Sequence, residues 1–264
     1  MKAKVQDQVA IVTGGASGIG RATCCALARE GAHVVAVDCN TQMLEETLDE
    51  LNALNPCYGG HLALKLDVSS ERDMEAMADQ AMEKFGQIDI LVASAGILRG
   101  RGSSPQPLAR ISTEEWDQVL DTNLKGVFLS NRSVLPAMMK RRHGNIVNLS
   151  SVSGRQGRAY DAPYCASKFG VIGMSESLSE EVRNAGIRVQ VVIPDAVDTP
   201  IWDQNGPVPK PPNALPSERV ADLIVYLVTQ PADTMILGPV IAPFGRRKGV
   251  GAKHKKTGAA EQVA

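Results

Sequence analysis

The chain has 264 residues, of which 44% are hydrophobic and 22% charged, and its formal net charge is −1. This composition is that of an ordinary globular protein, and it argues against intrinsic disorder, a membrane span, a disulfide scaffold and a nucleic-acid-binding protein. The five cysteines form no CxxC pair and have no histidine at metal-ligand spacing. We therefore expect reduced thiols, no metal site and a reducing compartment.

The two ends of the chain bear on its location and partners. The first residues, MKAKVQDQVAIVTGG, contain no long apolar core and no cleavage site, which predicts a cytoplasmic protein without a membrane partner. Residues 245–264 carry a local charge of +5, are rich in glycine and show no periodicity. We predict one domain over residues 1–244, followed by a basic, mobile tail at 245–264. The tail lacks the interleaved aromatics that stack on bases, so no nucleic-acid partner is expected.

In chain order, the first elements alternate between strands and helices. Short apolar runs predict strands at Val9–Thr13, His33–Asp38 and 62–68, and helical spacing predicts helices at 19–30 and 43–54. This is a βαβαβ pattern.

The next helix is the clearest in the chain. Ser70 begins what looks like a capping box, the apolar residues from Met74 to Phe85 follow at helical spacing, and Gly86 ends the run. Further strands are predicted at 88–93, 145–149 and 187–193, and helices at 113–139, 162–184 and 217–229. The segment 235–241 is a candidate for a last strand that closes the sheet.

These strands are continuous apolar runs rather than alternating ones, which indicates a parallel sheet covered on both faces. With right-handed crossovers the sequence predicts a single α/β domain with a doubly wound parallel sheet of the Rossmann type. Ligands of such folds bind at the carboxyl ends of the strands, where the strand order reverses.

A glycine-rich turn separates the first strand from the first helix. Thr13 begins the pattern TGxxxGxG, with glycines at Gly14, Gly18 and Gly20. At this place in a βαβ unit, such a turn brings backbone N–H groups and a helix N-terminus against a pyrophosphate. Asp38 ends the second strand, where a carboxylate accepts hydrogen bonds from ribose hydroxyls; the alternative for Asp38 is a turn or helix-start aspartate.

Later residues make the chain resemble the short-chain dehydrogenase/reductase family. Tyr164 and Lys168 form its YxxxK element, Ser151 stands 13 residues before the tyrosine, and Asn123 matches the active-site asparagine. The resemblance covers about residues 5–199. It implies the catalytic set Ser151, Tyr164, Lys168 and Asn123, in which Asn123 holds a water that relays a proton and Lys168 also binds the nicotinamide ribose. The cofactor-binding residues it implies are Thr13, Gly14, Ser17, Gly18, Ile19, Gly20, Asp38, Asp67, Val68, Ala95, Gly96, Tyr164, Lys168, Pro194, Val197 and Thr199.

The chemistry of this set follows from the residue types. Tyr164 and Lys168 lie four apart on a predicted helix, so they face the same side. Bringing a tyrosine from its ordinary pKa of about 10 to near neutrality takes roughly 3 units, or about 4 kcal/mol. The electrostatic stabilisation of the phenolate by a nearby ammonium and by the positive charge of an oxidised nicotinamide is large enough to supply this free energy. Tyr164 would then be a general acid for ketone reduction or base for alcohol oxidation, with Ser151 holding the substrate oxygen.

The implied function is an enzyme that uses NAD(H) to interconvert a secondary alcohol and a ketone of small or medium size. The choice of NAD depends on Asp38, because Cys39 and Asn40 follow it instead of a cation for a 2′-phosphate. The family resemblance also implies a homo-oligomer, a tetramer or dimer, paired through the helices at 113–139 and 162–184. The alternative from another class is a catalytically weak dinucleotide-binding sensor or scaffold.

Two departures from the family pattern support that alternative. Ser94 replaces an asparagine that commonly steadies the sheet, which predicts some loss of local hydrogen bonding. Asp195 stands where the family has glycine, either as a group that faces the substrate or as a loop residue with an unusual backbone angle.

Four arginines suggest an anionic substrate, with the alternative that each is simply solvated. Arg155 and Arg158 lie between Ser151 and Tyr164, and Arg99 and Arg101 follow the fourth strand. If the anionic hypothesis fails, the substrate pocket is expected among the apolar residues Ile97, Leu98, Ile201 and Trp202.

Overall fold

The computed structural model describes residues 4–55 and 60–244. Cys57 and the predicted basic tail at 245–264 lie outside the described residues, so the division between domain and tail stays a prediction.

The first half of the chain follows the predicted alternation. Strands β1 (Val9–Thr13), β2 (His33–Asp38), β3 (Leu62–Lys65) and β4 (Ile90–Ala93) are separated by helices α1 (Gly18–Arg29), α2 (Thr41–Leu54) and α3 (Glu71–Phe85). The ends of α3 have a clear cause in the sequence. The Ser70 hydroxyl accepts a hydrogen bond from the backbone N–H of Asp73, and Gly86 adopts the left-handed conformation that ends a helix.

The second half contains α4 (Thr113–Leu120), α5 (Gly126–Arg141), β5 (Gly144–Leu149), α6 (Ala162–Val182), β6 (Ile187–Pro194), α7 (Ser217–Val228) and β9 (Val240–Ile241). Two short strands, β7 (Val197–Asp198) and β8 (Leu215–Pro216), pair beside the main sheet, and Pro200–Asn205 forms a 3₁₀ helix.

The main sheet has seven parallel strands in the order β3-β2-β1-β4-β5-β6-β9. Alternate residues of β1 point to opposite faces: Ala10 and Val12 join a core with α1, α2 and α7, whereas Val9 and Ile11 join a core with α3 and α5. This confirms the predicted single α/β domain of the Rossmann type. The strand order reverses between β1 and β4, where Thr13 lies opposite Ala93.

Three predicted elements differ from the structure. The predicted helix at 113–139 is divided by a π-helical turn, Asp121–Lys125, between α4 and α5. β3 ends at Lys65 rather than residue 68, so Asp67 and Val68 lie in a loop. The last strand has only two residues, because Pro239 just before it has no N–H to donate to a strand neighbour.

A buried carboxylate joins the amino end of the sheet to α5. Asp89 is 2% exposed, and its two oxygens accept hydrogen bonds from the backbone N–H of Val9 at 2.8 Å and from Nη1 of Arg141 at 2.6 Å. We expect Asp89→Ala to lower the free energy of unfolding by about 2–4 kcal/mol, because it leaves a buried backbone N–H unpaired. Arg141→Ala should also be destabilising, because it leaves the buried Asp89 carboxylate without its cation. Urea unfolding measures both, with exposed Asp79→Ala as the matched control. An Asp89→Ala variant as stable as this control would contradict the assignment.

Candidate active site

A cleft of about 380 Å³ lies where the strand order reverses, at the carboxyl ends of β1 and β4. Eleven of the predicted cofactor-binding residues line it: Gly14, Ser17, Gly18, Ile19, Gly20, Asp38, Asp67, Val68, Ala95, Gly96 and Thr199. The cleft therefore brings together residues from five segments that the sequence places far apart.

The glycine turn forms the floor of this cleft because side chains do not fit there. A Cβ on Gly14, whose φ is +69°, would lie 2.8 Å from the backbone N of Ala95, and a Cβ on Gly20 would lie 1.9 Å from the carbonyl oxygen of Gly14. The first residues of α1 consequently line open space, and the Ser17 side chain makes no capping hydrogen bond. A helix N-terminus beside a cradle of this kind fits the pyrophosphate of a dinucleotide.

Asp38 fits both interpretations of its sequence position, a turn aspartate and a carboxylate that faces the cleft. Its Oδ1 accepts from the backbone N–H of Asn40 at 3.0 Å, as a turn aspartate does, and its Oδ2 accepts from Ala16 at 3.2 Å. It also lines the cleft, and each carboxylate oxygen retains acceptor capacity for a ribose hydroxyl. Asp38 thus supports the glycine turn and faces the ligand space at once.

Thr13 lies behind the cleft wall rather than on it. The residue is buried, and its Oγ1 accepts hydrogen bonds from the backbone N–H groups of Ser94 at 3.2 Å and Ala95 at 3.4 Å. Ser94 takes part in this contact through its backbone N–H, so Thr13 holds the loop after β4 whichever side chain stands at position 94.

A second cavity of about 340 Å³ adjoins the cleft and shares Ile19, Thr199 and Ile201 with it. Ser151 and Tyr164 line this cavity, together with the predicted cofactor-binding residues Pro194 and Val197. The two candidate groups for substrate chemistry therefore lie in a space directly beside the cleft at the strand-order reversal.

Tyr164 is partly buried in the first turn of α6. Burial raises the pKa of Tyr164 to about 12, and the Asp161 carboxylate adds to this shift, while a hydrogen bond with Ser151 and the positive charge of Arg158 oppose it. The protein's own groups thus favour the protonated phenol. The expectation from the sequence of a pKa near neutrality also relied on the positive charge of an oxidised nicotinamide, and it stays a prediction.

Lys168 lies beneath Tyr164. Its Nζ is 5.7 Å from the centre of the tyrosine ring and donates a hydrogen bond to the Leu149 carbonyl at 2.9 Å. Burial lowers the pKa of Lys168 to about 8, so most of the ammonium is still charged at neutral pH.

Asn123 occupies the π-helical turn and is completely buried. Its amide forms a reciprocal pair with Ile97: Nδ2 donates to the Ile97 carbonyl and Oδ1 accepts from the Ile97 N–H, both at 2.8 Å. Nδ2 also donates to the Ser167 hydroxyl at 3.1 Å. In this structure Asn123 joins the loop after β4 to α6. π-helical turns are frequent at functional sites.

Of the two interpretations of Asp195, the one that gives it an unusual backbone angle is wrong. The described non-glycine residues with positive φ are Asp7, Arg142 and Tyr160. Asp195 instead lines the second cavity and forms an ion pair with Nη2 of Arg158 at 3.1 Å.

The four arginines are placed differently from the expectation of a shared cationic site. Arg158 lines the cavity, whereas Arg155 donates to the Gly238 carbonyl at 3.1 Å and Arg101 is exposed. Arg99 is 5% exposed and forms an ion pair with Asp161, Nη2 to Oδ1, at 2.6 Å. Two of the four are therefore paired with a carboxylate beside the cavity, and their positive charge is compensated.

Sequence reasoning missed three side chains near the site: Asp161, Gln204 and Asn205. Oε1 of Gln204 accepts from the backbone N–H groups of Leu98 at 2.8 Å and Arg99 at 3.3 Å, and thereby ties the 3₁₀ helix to the loop after β4. No local pattern marks these residues, because their partners are distant in sequence.

Within residues 4–55 and 60–244, no helix has the length and apolar character to span a membrane. In the same part of the chain, no group of three or more histidine, cysteine, aspartate or glutamate side chains is arranged to hold a metal ion.

Comparisons with known proteins agree with this geometry. A family profile described as short chain dehydrogenase matches residues 8–208. The 3-oxoacyl-(acyl-carrier-protein) reductase of Thermotoga maritima is 37% identical over 76% of this chain and 78% of its own length. The crystal structure of levodione reductase has a TM-score of 0.81 at 30% identity, with 90% of this chain and 96% of that chain covered.

A metagenomic short-chain oxidoreductase solved in complex with NADP has a TM-score of 0.78 at 31% identity, with 92% of this chain and 100% of that chain covered. With the profile match over most of the chain, these similarities identify the protein as a member of the short-chain dehydrogenase family.

Proposed function

We propose that this protein is an NAD(H)-dependent oxidoreductase that interconverts a secondary alcohol and a ketone, with Tyr164 as the general acid and base. The observation that carries the proposal is the position of Ser151 and Tyr164 in a cavity that shares a wall with the cleft at the strand-order reversal. A protein that only binds a dinucleotide has no use for a phenol and a hydroxyl at that place.

Each side chain has a distinct part in the proposed reaction. A bound nicotinamide supplies or accepts the hydride at the carbon of the substrate. The Ser151 hydroxyl holds the substrate oxygen while negative charge develops on it, and the Tyr164 phenol donates its proton to that oxygen in ketone reduction. In alcohol oxidation the proton moves from the substrate oxygen to Tyr164.

The electrostatics of the apoprotein favour the proton-donating role. Burial and Asp161 keep the pKa of Tyr164 high, so the phenol is protonated over the whole physiological pH range. The Lys168 ammonium, directly below the ring, is the positive charge that stabilises the phenolate once the proton has left. Removal of a proton by Tyr164 requires additional positive charge, which an oxidised nicotinamide carries.

NAD is proposed as the cofactor on the basis of Asp38. The carboxylate faces the cleft, and the next residues, Cys39 and Asn40, offer no cation for a 2′-phosphate. The related oxidoreductase in complex with NADP has the same fold, so the local charge rather than the fold decides the preference.

The second cavity favours a neutral and largely apolar substrate. Leu98, Val152, Ile201 and Trp202 form much of its wall. The positive charge of Arg158 is compensated by Asp195, and that of Arg99 by Asp161. With both cations paired, an anionic substrate gains little from them, and the proposal departs here from the expectation based on the number of arginines.

The cellular location and the oligomeric state of the enzyme belong to the same proposal. We place the enzyme in the cytoplasm, in keeping with its thiols: the described cysteines, Cys24, Cys25, Cys39 and Cys165, form no disulfide. We also propose a homo-oligomer that pairs through α5 and α6, which expose the aromatic side chains of Phe128 and Phe169.

Tyr164→Phe tests the proposed mechanism, because it removes the proton donor and keeps the ring. A panel of ketones and secondary alcohols is first screened with NAD(H) at the nicotinamide absorbance. On the best substrate, turnover of the variant should fall by about 10²–10⁴. NADH binding, followed by nicotinamide fluorescence, should be unchanged, and Tyr226→Phe on the exposed face of α7 is the matched control. A Tyr164→Phe variant at wild-type rate would falsify the mechanism.

The cofactor preference has a separate test. A phosphate about 4 Å from the Asp38 carboxylate experiences roughly 4 kcal/mol of repulsion per charge pair at an effective dielectric of about 20, before screening. We therefore expect kcat/KM for NADH to exceed that for NADPH by at least about tenfold. Asp38→Asn should narrow the ratio, whereas Glu45→Gln on the exposed side of α2 should leave it unchanged. Equal efficiencies for the two cofactors in the wild type would show that Asp38 does not face the ribose.

The neutral-substrate proposal predicts a change of selectivity in Asp195→Asn, which leaves Arg158 without its partner. The kcat/KM ratio of acetoacetate to ethyl acetoacetate should rise by about fivefold, equivalent to roughly 1 kcal/mol for a partly exposed ion pair. The effect should disappear at high salt and in the double variant Arg158→Gln/Asp195→Asn. A ratio that stays constant across these variants would mean that this ion pair does not contact the substrate.

A further inference from the structure

A buried arginine adjoins the candidate active site without lining it. Arg99 follows β4 and is 5% exposed, and its guanidinium makes hydrogen bonds to two other segments of the chain. Nη1 donates to the Tyr160 carbonyl at 2.7 Å, and Nη2 donates to Oδ1 of Asp161 at 2.6 Å and to Oδ1 of Asn205 at 3.2 Å. One side chain thus joins the loop after β4, the turn before α6 and the end of the 3₁₀ helix.

The turn that Arg99 holds has an unusual backbone. Tyr160 has a φ of +68°, a left-handed conformation that is costly for a residue with a Cβ and needs support from its surroundings. The Arg99 guanidinium binds the carbonyl of this residue and the side chain of the next. The hydrogen bond from the backbone N–H of Asp161 to the Arg158 carbonyl, at 3.3 Å, closes the turn.

This turn leads directly into the helix that carries the phenol. Asp161 is the residue before α6; its side chain makes no capping hydrogen bond to the helix, and its Oδ1 accepts from Arg99 instead. Its carbonyl accepts from the backbone N–H of Cys165 at 2.8 Å, within the first helical turn that contains Tyr164. A displacement of the turn therefore displaces Tyr164.

Charge provides a second route from Arg99 to the phenol. The Asp161 carboxylate lines the same cavity as Tyr164 and raises the pKa of the phenol. The other charged or titratable groups described around Tyr164 are Arg158 from the same turn, Cys165 and Lys168 from α6, and Asp195 from the loop after β6, which lines the same cavity and pairs with Arg158. The Ser151 hydroxyl forms a hydrogen bond with the phenol. Without Arg99, the Asp161 charge would act on the phenol uncompensated.

Stability alone is a poor explanation of this arrangement. Nε of Arg99 is buried and has no hydrogen-bond partner among the described residues, so the fold leaves one donor unsatisfied. Buried ion pairs are often no more stabilising than apolar residues of the same volume. A cation that is incompletely satisfied and adjacent to the active site fits a functional constraint better.

We infer that Arg99 is a positioning residue for Tyr164, which it orients through the turn at Tyr160 and Asp161 and shields from the negative charge of Asp161. The inference rests on the proposed function in one respect, the role of Tyr164 as the proton-transfer group.

Two substitutions that should shift the apparent pKa of Tyr164 in opposite directions test the inference. Arg99→Met leaves the carboxylate uncompensated, so the apparent pKa for alcohol oxidation in the kcat/KM pH profile should rise by about 1 unit. Asp161→Asn leaves the arginine uncompensated, and the apparent pKa should fall. The double variant should return toward the wild type, and Arg99→Lys should restore most of the wild-type profile. Arg101→Met, an exposed arginine of the same loop, is the matched control.

A readout without turnover separates this inference from the proposed function. The phenols are observed by NMR in cofactor-free protein labelled with ¹³Cζ-tyrosine, and the Tyr164 resonance is assigned as the one that is missing in Tyr164→Phe. In Asp161→Asn, the Tyr164 phenol should begin to titrate at lower pH than in the wild type. Thermal unfolding verifies that each variant is folded, and NADH fluorescence verifies that each variant binds the cofactor. Loss of the proposed function would appear as an active Tyr164→Phe variant, with this titration still informative. Shifts of the same sign in Arg99→Met and Asp161→Asn, or no shift in either, would overturn the inference and leave Arg99 a purely structural residue.

Discussion

The approach of two backbone loops at the carboxyl edge of the sheet is the constraint on which the site depends. The turn after β1 lies so close to the loop after β4 that a Cβ on Gly14 would be 2.8 Å from the backbone N of Ala95. Thr13 fixes the same contact through its hydroxyl. Because no side chain occupies this space, the start of α1 lines an open cleft, and the loop after β4 is held where Asn123 and Gln204 bind it. The cleft depends on this contact, and the adjoining cavity shares Ile19 of α1 with the cleft.

Local signals in the sequence were sufficient for most of the sheet and for the glycine turn of the cleft, whereas Asp67, Val68, Ala95, Gly96 and Thr199 were expected from the family resemblance. Ser70 and Gly86 predict the ends of α3 because capping depends on neighbouring residues only. The π-helical turn at Asp121–Lys125 has no such signal, since its residues also fit an α-helix. It exists where Asn123 pairs with the Ile97 backbone, a contact between segments 26 residues apart. Tertiary contacts of this kind decide helix irregularities, and periodicity does not contain them.

The net charge of the cavity also depends on tertiary contacts that sequence patterns do not contain. The sequence gives the number of arginines near the catalytic segment, but not whether each is compensated. Arg158 pairs with Asp195 across 37 residues, and Arg99 pairs with Asp161 across 62. Asp195, which replaces a glycine of the family pattern, and Asp161 are the residues that turn an apparently cationic site into a balanced one. A count of charges therefore predicts substrate charge poorly unless the partners are known.

Burial and charge act on the two central groups in ways that support each other. Burial disfavours the charged form of both, and so raises the pKa of Tyr164 to about 12 and lowers that of Lys168 to about 8. A transfer of the phenol proton to a substrate oxygen creates a phenolate beside an ammonium that already lies 5.7 Å from the ring centre. The negative charge that burial penalises in isolation is then paired as it forms. In the proposed reaction, a protonated phenol beside a charged lysine thus stabilises the product of proton donation, the phenolate, more than the starting state, which is the condition for catalysis.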